Sequence, residues 1–141
     1  MFGTMLELVV YVLVGIVVML AGYFLIDFIV PCDFPKELKD GNKAVGWVSA
    51  GIYIGLGTII HFAIKTLTIA NKAPELINGV LDTVVYSVAG IVFFIAAYFL
   101  IDIVNKKYNF NVELEARNEA IGITVFGIFI GIALIVGGVI A

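Results

Sequence analysis

The chain has 141 residues, of which 62% are hydrophobic and 13% are charged, and its formal net charge at neutral pH is −3. Soluble domains are about half apolar and about a quarter charged, so this composition excludes an ordinary soluble protein. The small net charge and the absence of a basic cluster argue against nucleic-acid binding. The single cysteine excludes an internal disulfide and argues against a cysteine metal site.

Four uncharged runs account for the excess of hydrophobic residues. They span Leu8–Ile26, Ala44–Ile64, Thr83–Ile101 and Ala120–Ala141, and each has 19 to 22 residues. An α-helix needs about 20 residues to cross about 30 Å of hydrocarbon, and a soluble chain of this size has too small an interior to hide four such helices. The runs are also too long for strands and show no strict alternation. The sequence therefore predicts an all-α polytopic membrane protein with four transmembrane helices.

The first predicted helix covers about residues 6–29, after a short tail, Met1–Leu6. Glu7 lies at its start, where a carboxylate suits the positive end of the helix dipole. A cleaved signal peptide is not expected, because no basic segment precedes the apolar run and the run is too long. Tyr23 and Phe24 lie near the far membrane boundary, where amphipathic rings favour the headgroup region.

A polar loop, Pro31–Gly41, separates the first helix from the second, which is predicted at about residues 43–66. Pro35 favours a short turn of helix within the loop, and the final glycine breaks it. Asn42 directly precedes the second helix, and asparagine is among the best N-cap residues. His61, the only histidine, is interpreted as a hydrogen-bonding group near a helix end, with a proton relay or ligand as the alternative.

The second half of the chain follows the same plan. A third helix is predicted at about residues 81–104, with Asp82 at its start, and a fourth at about residues 118–140, capped by Asn118. Between them lies the polar segment Asn105–Arg117, whose second part favours helix and is expected to extend the fourth helix beyond the membrane.

The similarity of the two halves is an internal duplication. The pentapeptide Tyr-Phe-Leu-Ile-Asp occurs at Tyr23–Asp27 and at Tyr98–Asp102, a shift of 75 residues, and after a one-residue slip in the loop the register continues at 76. Such a repeat fixes an architecture more strongly than a short motif does. We therefore expect one membrane domain, 1–141, made of repeat 1 at about residues 6–66 and repeat 2 at about residues 81–141.

Each predicted repeat crosses the membrane twice, so both repeats enter from the same side. The two hairpins are then parallel repeats, related by a rotation of about 180° around the membrane normal, unlike the inverted repeats of many secondary transporters. Small residues let helix backbones approach closely, and the second helix of each repeat contains a GxxxG pattern. The glycines predicted to face other helices are Gly15, Gly22, Gly51, Gly55, Gly90, Gly127 and Gly131.

The basic residues predict an orientation in the cell (inner) membrane. Six of them lie in or beside the loops 31–42 and 105–117, whereas the other side has two, Lys65 and Lys72. Because loops rich in Lys and Arg stay in the cytoplasm, both loops are predicted to be cytoplasmic and both termini outside. Cys32 lies in the first loop and is therefore expected to be cytoplasmic.

The duplicated pentapeptides, the Asn-x-Ala motifs at Asn42 and Asn118, and the glycines that follow in the second and fourth helices carry a family resemblance. A chain of about 140 residues with two copies of a two-helix unit resembles the DUF350 family of small bacterial and archaeal inner-membrane proteins, also called UPF0719. The resemblance covers nearly the whole chain. It implies a membrane protein encoded beside envelope-stress and membrane-remodelling systems and polyamine-related enzymes, and it assigns no catalytic residue.

Asp27 and Asp102 are the sharpest candidates for a functional site. A carboxylate in hydrocarbon costs about 2.5–3.5 kcal/mol and often marks an ion path, so two equivalent carboxylates could form a cation or proton site. The alternative is a pair of boundary carboxylates that reach water and pair with basic residues of the loops. No phosphate loop, catalytic triad or metal-ligand spacing is present, so the sequence predicts no enzyme, no cofactor and no metal.

Two functions remain open at this stage. The favoured one is a non-enzymatic membrane scaffold or partner subunit in envelope stress or membrane maintenance, whose cytoplasmic loops dock an envelope-stress protein. The alternative is a small oligomeric ion or proton channel or transporter that uses Asp27 and Asp102. The expected partners are the lipid bilayer, further copies of the chain and the cytoplasmic envelope-stress protein, without nucleic acid.

Overall fold

The computed structural model describes residues 2–30, 33–69, 76–105 and 109–140. The helices are α1 Phe2–Ile29, α2 Phe34–Lys39, α3 Lys43–Ile69, α4 Leu76–Val104, α5 Phe110–Glu115 and α6 Glu119–Ile140. Within these ranges, four segments are long and apolar enough to cross a membrane: Met5–Ile29, Lys43–Lys65, Gly79–Val104 and Glu119–Ile140. The prediction of an all-α membrane protein with four transmembrane helices is confirmed.

The helix α3 is the centre of the bundle. It packs along α6, from Ala44 against Gly122 at one end to Phe62 against Gly137 at the other, and it also contacts α1 and α4. Half of its most apolar window, 50%, is buried inside the protein, whereas the corresponding share of α1 is 17%. The remaining surface of α1 is therefore left for lipid or for other protein chains.

The contact between α3 and α6 is close because glycine in one helix faces backbone in the other. Gly122 lies directly against the backbone of Ala44, and a Cβ on Gly51 would lie 3.0 Å from the Cα of Phe126. Neither backbone can retreat without displacing a whole helix. In lipid, where apolar side chains gain little by leaving their surroundings, such close van der Waals packing is a main source of helix association.

Glycines also make room for the other two transmembrane helices. A Cβ on Gly55 of α3 would lie 2.8 Å from the ring of Phe94 on α4, and a Cβ on Gly90 of α4 would crowd Ile59 of α3. The helix α1 approaches α3 in the same manner, through Gly15 beside Ile60 and Gly22 beside Leu56.

Each repeat forms the same aromatic pair near its loop. Tyr23 of α1 stacks on Tyr53 of α3 with ring centroids 4.4 Å apart, and Tyr98 of α4 stacks on Phe129 of α6 at 4.9 Å. The Tyr23 hydroxyl also shares a 3.0 Å hydrogen bond with Ser49 Oγ. The pentapeptide tyrosines thus fasten the first transmembrane helix of each repeat to the second, since stacked aromatic pairs stabilise beyond the area they bury.

The short helices α2 and α5 lie at equivalent places at the loop end of the bundle. Each begins with a buried phenylalanine, Phe34 or Phe110, which packs on the pentapeptide tyrosine of its own repeat at 6.1 or 6.2 Å between ring centroids. Each is followed by a residue with left-handed backbone, Gly41 at φ 79° or Arg117 at φ 65°. This geometry ends a helix and reverses the chain.

Within the chain, the predicted packing of Gly127 and Gly131 against other helices is not observed. Gly127 is exposed, and no described atom would lie within 4 Å of a Cβ built on either glycine. The reason is that α6 contacts α3 through a different face, which contains Gly122. The GxxxG pattern therefore contributes to internal packing in α3 but not in α6.

Two helix boundaries also differ from the sequence-based expectation. The helix α1 begins at Phe2 and α4 at Leu76, so neither Glu7 nor Asp82 lies in a first turn, and the dipole argument for these acids is wrong. The second part of the repeat 2 loop forms the separate helix α5 instead of extending α6, because Arg117 adopts a positive φ.

The contact between α3 and α6 lacks the two-fold symmetry expected for the repeats. In a two-fold contact, Gly51 against Phe126 would be matched by Gly127 against Ala50, the equivalent of Phe126. No described atom lies within 4 Å of a Cβ on Gly127, so this second contact is missing. The two halves share local structure but meet through different faces.

We predict that Gly51→Leu destabilises the detergent-solubilised monomer by about 1–3 kcal/mol or more, because the new side chain would collide with the backbone of Phe126. The matched control is Gly127→Leu, the same change at the equivalent position, where no described atom would lie within 4 Å of a Cβ. Its free energy of unfolding should change by less than about 0.5 kcal/mol. Thermal unfolding followed by circular dichroism measures both, and equal losses would contradict the assignment of faces.

Candidate functional site

Three hydrogen bonds between the two halves lie at the loop end of the bundle. Together with the bonds that Asn42 and Asn118 make within their own repeats, they form a set that we call the loop-side network. Its members are Glu37, Asp40, Asn42, Trp47, Glu113, Leu114, Arg117, Asn118 and Glu119. The network lies where α2 and α5 meet the first turns of α3 and α6. The positions of the short helices therefore determine which of its hydrogen bonds can form.

Asn42 is the centre of the network. It is 2% exposed, and its Nδ2 donates to Glu37 Oε2 at 2.8 Å and to the carbonyl of Leu114 at 2.8 Å. Its Oδ1 accepts from the amide of Val45 at 3.3 Å, as an N-cap does. The bond to Leu114 joins repeat 1 to repeat 2 through a buried amide whose donors are both used.

Asn118 holds the equivalent place in repeat 2. Its Nδ2 donates to Glu113 Oε2 at 3.0 Å, and its Oδ1 accepts from the amide of Ile121 at 3.4 Å. It is only partly buried. Within the part of the chain that the structure describes, Asn118 has no counterpart of the bond between Asn42 and Leu114.

Both asparagines also complete the C-terminal ends of the short helices. The amide of Asn42 donates to the carbonyl of Glu37 at 2.9 Å, and the amide of Asn118 donates to the carbonyl of Glu113 at 3.0 Å. Each asparagine therefore satisfies the end of one helix and the start of the next. This dual role fixes the angle between short and long helices, because two sets of otherwise unpaired backbone groups depend on one residue.

Two further bonds cross between the repeats at the rim. Trp47 Nε1 donates to Glu119 Oε1 at 3.3 Å, and the indole packs edge-on against Phe126 with ring centroids 5.3 Å apart. The guanidinium of Arg117 donates to the carbonyl of Asp40 at 3.1 Å. Both are exposed contacts, so each contributes little to stability.

Asp27 is a half-buried residue at the loop end of α1. Its Oδ1 accepts from the amide of Phe34 at 3.1 Å. That amide belongs to the first turn of α2, where backbone donors have no partner within the helix. Asp27 therefore ties α1 to α2 across the loop, which is a structural use for this carboxylate.

Asp102 is also half-buried and lies at the equivalent place near the end of α4. Among the described residues, neither Asp27 nor Asp102 forms a salt bridge, so the expected pairing with Lys36, Lys43 or Arg117 is not observed. Lys106, another expected partner, lies outside the described residues.

The remaining sequence candidates are scattered. Glu7 on α1 and Asp82 on α4 lie towards the end of the bundle opposite the loops. His61 is exposed and packs edge-on against Phe62 with ring centroids 5.4 Å apart. Cys32 lies outside the described residues.

His61 and Tyr11 also line an open groove of about 410 Å³ between α1 and α3, whose other walls are aliphatic side chains and glycines. Among the described residues, no group of His, Cys, Asp and Glu could hold a metal ion. The groove therefore offers apolar contact with lipid or protein rather than chemistry.

Sequence reasoning missed Glu37 and Glu113 as partners of the two asparagines. A signal for them exists, because in each repeat the glutamate precedes its asparagine by five residues. Sequence reasoning also missed Gly122 and Gly137, which lie against Ala44 and Phe62. No local signal separates these glycines from the others in α6, because the difference lies in which face α3 covers.

Comparison with known proteins identifies the family of the chain. The model of the DUF350 family, described as a domain of unknown function, matches residues 1–140. The chain belongs to this family. It is also similar to the UPF0719 transmembrane protein YshE of Bacillus subtilis (strain 168), with 24% identity over 101 residues, 72% of this chain and 68% of the relative. No solved structure matches the chain.

We predict that Asp27→Asn is tolerated by this DUF350 member, since an amide oxygen can still accept from Phe34. Asp27→Ala should lower the free energy of unfolding by about 1–3 kcal/mol, because it leaves the Phe34 amide without its acceptor. Asp82→Ala, an exposed acid on α4, is the control and should cost less than about 0.5 kcal/mol. Thermal unfolding in detergent tests the series; equal effects of Asn and Ala would argue against the hydrogen bond.

Proposed function

We propose that this DUF350 member is a non-enzymatic membrane scaffold or partner subunit, and that its loop side docks a protein of the envelope-stress or membrane-maintenance machinery. The observation that carries the proposal is the contrast between the two parts of the molecule. The described interior is filled by apolar, aromatic and small residues, whereas the loop side holds a charged surface in fixed geometry through the loop-side network.

The charged surface is preorganised. Asp33 caps α2 by accepting from the amide of Lys36 at 3.3 Å, and Asn109 caps α5 by accepting from the amide of Asn111 at 2.9 Å. The exposed charged residues of this side are Asp33, Lys36, Lys39, Asp40, Lys43, Glu115, Arg117 and Glu119. A surface that is already ordered loses less entropy when a partner binds, which favours a docking role.

The transport alternative finds less support in the described residues. Asp27 is used by the amide of Phe34, and the two pentapeptide carboxylates lie at helix ends instead of the middle of the bundle. Buried hydroxyl groups further inside the helices are few, and the Thr83 hydroxyl is bonded to the carbonyl of Gly79 at 2.8 Å. The described residues therefore offer few polar groups that could line an aqueous path inside one chain.

The proposed orientation places the loop side in the cytoplasm, following the bias of basic residues towards the loops. We predict that Cys32 is labelled by a membrane-impermeant maleimide only after cells are permeabilised. A variant with Cys32→Ser and Lys72→Cys provides the opposite control and should be labelled in intact cells. Labelling of Cys32 in intact cells would reverse the orientation.

The docking proposal predicts that charge reversal on α2 removes a partner. In native membranes, Lys36→Glu combined with Lys39→Glu should strongly reduce the yield of a specific chemical cross-link between this protein and a cytoplasmic protein. The control is Lys65→Glu, an exposed lysine at the other end of α3, which should leave that cross-link unchanged. Exposed charges mainly affect encounter and specificity, so the fold should survive both changes.

Measurement of ion flux in liposomes tests the transport alternative. The reconstituted protein should carry no cation or proton current above that of protein-free liposomes, as reported by cation- and pH-sensitive dyes. Wild-type flux that disappears in both Asp27→Asn and Asp102→Asn would contradict the scaffold proposal and favour the transport alternative.

A further inference from the structure

The contact between α3 and α6 joins different faces of equivalent helices. Positions in α3 correspond to positions 76 residues later in α6, and positions in α1 to positions 75 residues later in α4. On α3 the contact face contains Gly51, whereas on α6 it contains Gly122 and Phe126. The equivalents of the latter two are Gly46 and Ala50, which lie on another face of α3.

Each helix therefore leaves open the face that its partner uses. We call Gly46, Ala50 and Gly57 the open α3 face, and Ala120, Thr124, Gly127 and Gly131 the open α6 face. No described atom would lie within 4 Å of a Cβ on Gly46, Gly57, Gly127 or Gly131. A groove of about 330 Å³ lined by Lys43, Gly46, Trp47 and Ala50 marks the open α3 face.

We propose that the open α6 face of one copy packs against the open α3 face of a second copy of this chain, and so repeats between chains the contact that joins α3 to α6 within one. A second copy fits these faces because the two surfaces that pack against each other inside the molecule recur, on exchanged helices, on its outside. This proposal goes beyond the docking role and does not depend on it.

The backbone contacts of the internal interface can be repeated. Inside the chain, the backbone of Phe126 lies over Gly51, where a Cβ would be 3.0 Å from its Cα. The equivalent contact between copies brings the backbone of Ala50 onto Gly127. This contact needs a residue without a side chain on α6, and the sequence supplies one.

The second backbone contact obeys the same rule. Inside the chain, Gly122 lies against the backbone of Ala44. The equivalent contact between copies brings Gly46 against the backbone of Ala120. Again the position that must be glycine is glycine, although nothing within the chain's described part requires it there.

The position of α4 provides a separate observation. Ile59 of α3 is fully buried, and it lies where a Cβ on Gly90 of α4 would be. Its equivalent, Ile135 of α6, is 70% exposed, and the equivalent of Gly90 is Gly15 of α1. Between copies, Ile135 meets Gly15 of the second copy, which buries an isoleucine that the single chain leaves exposed.

A polar contact at the loop end points in the same direction. Asn42 donates to the carbonyl of Leu114, which is fully buried. The equivalent pair is Asn118 and Leu38, and Leu38 is 40% exposed. Between copies, Asn118 donates to the carbonyl of Leu38 of the second copy, so the amide gains the cross-repeat bond that its equivalent already makes.

The geometry of such an assembly follows from the exchange of faces. Each contact joins an α6 face to an α3 face, so the interface is heterologous and every copy has one of each to offer. Heterologous contacts produce rings when the rotation closes. Copies that share one orientation in the membrane differ by rotation around its normal, so closure gives a ring in which internal and intermolecular contacts alternate.

Cysteine cross-linking in membranes tests the proposal directly, in a chain with Cys32→Ser. Inside the chain, Trp47 and Phe126 are in ring contact, so their equivalents, Ile123 and Ala50 of the second copy, should be neighbours. Differently tagged Ala50→Cys and Ile123→Cys proteins, co-expressed and oxidised, should form a disulfide with each other. Neither should dimerise with itself, and the double variant should give a ladder beyond the dimer.

A second variant separates assembly from folding. Gly127→Leu should abolish the ladder while leaving thermal unfolding of the detergent-solubilised monomer unchanged. The control is Ile103→Trp on α4, whose side chain is 71% exposed; its equivalent, Phe28, stays 88% exposed despite the internal contact. We therefore expect this position to remain exposed between copies too, and the ladder to persist.

A cysteine pair at the internal contact between α3 and α6 is the positive control for disulfide formation. A chain with Trp47→Cys and Phe126→Cys should form an intramolecular disulfide under the same conditions. If that bond forms and the mixed Ala50–Ile123 product does not, the proposal is wrong. Self-dimers of Ala50→Cys would also overturn it, because they require a two-fold interface. Neither result bears on partner docking at the loop side, so the two proposals can fail independently.

Discussion

The fold depends on two places where a helix backbone lies directly on a glycine of another helix. Lipid gives apolar side chains no gain for leaving it, so helices associate through close packing and through polar groups that find partners. Gly122 against Ala44 and Gly51 against Phe126 set the separation of α3 and α6. The helix α4 then packs on this pair, and α1 adds a peripheral contact. This order explains why α3 is the most buried transmembrane helix and α1 the least.

The loop side solves a different problem, which is how to turn the chain at a membrane boundary without unpaired backbone groups. Asn42 and Asn118 each close one helix and cap the next, and an unpaired amide near hydrocarbon is costly. The two repeats share this device but use it differently, because among the described residues Asn42 reaches a buried carbonyl of the other repeat and Asn118 does not. The same local motif, present once in each repeat, thus makes a long-range contact in one of them, and that contact helps to hold the charged surface proposed for docking.

The sequence predicted what depends on local chemistry and chain length. Four helices followed from the uncharged runs, and the asparagines at the starts of α3 and α6 followed from capping preference. The face that α6 turns towards α3 could not be predicted, because Gly122 and Gly127 are both glycines in an apolar helix and differ only in what lies opposite. The bond from Trp47 to Glu119 depends on the axial register of α3 and α6. That register is set by backbone contacts, which no short pattern encodes. The hydrogen bond that Asp27 accepts from α2 could likewise not be predicted, because it depends on where α2 lies.

The unused glycines pose a physical question about the isolated chain. Glycine in a helix interior is less favourable than alanine by about 0.8–1 kcal/mol, and Gly46, Gly57, Gly127 and Gly131 make no contact with the described residues that would require it. Shared descent of the repeats accounts for the matching positions of Gly51 and Gly127, yet it does not account for Gly57, whose equivalent is Ala133. Small residues on two different faces of α3 are understandable if another helix covers each of these faces. Covering the second face by α6 of another copy requires no new surface, because the complementary surface already exists within the chain.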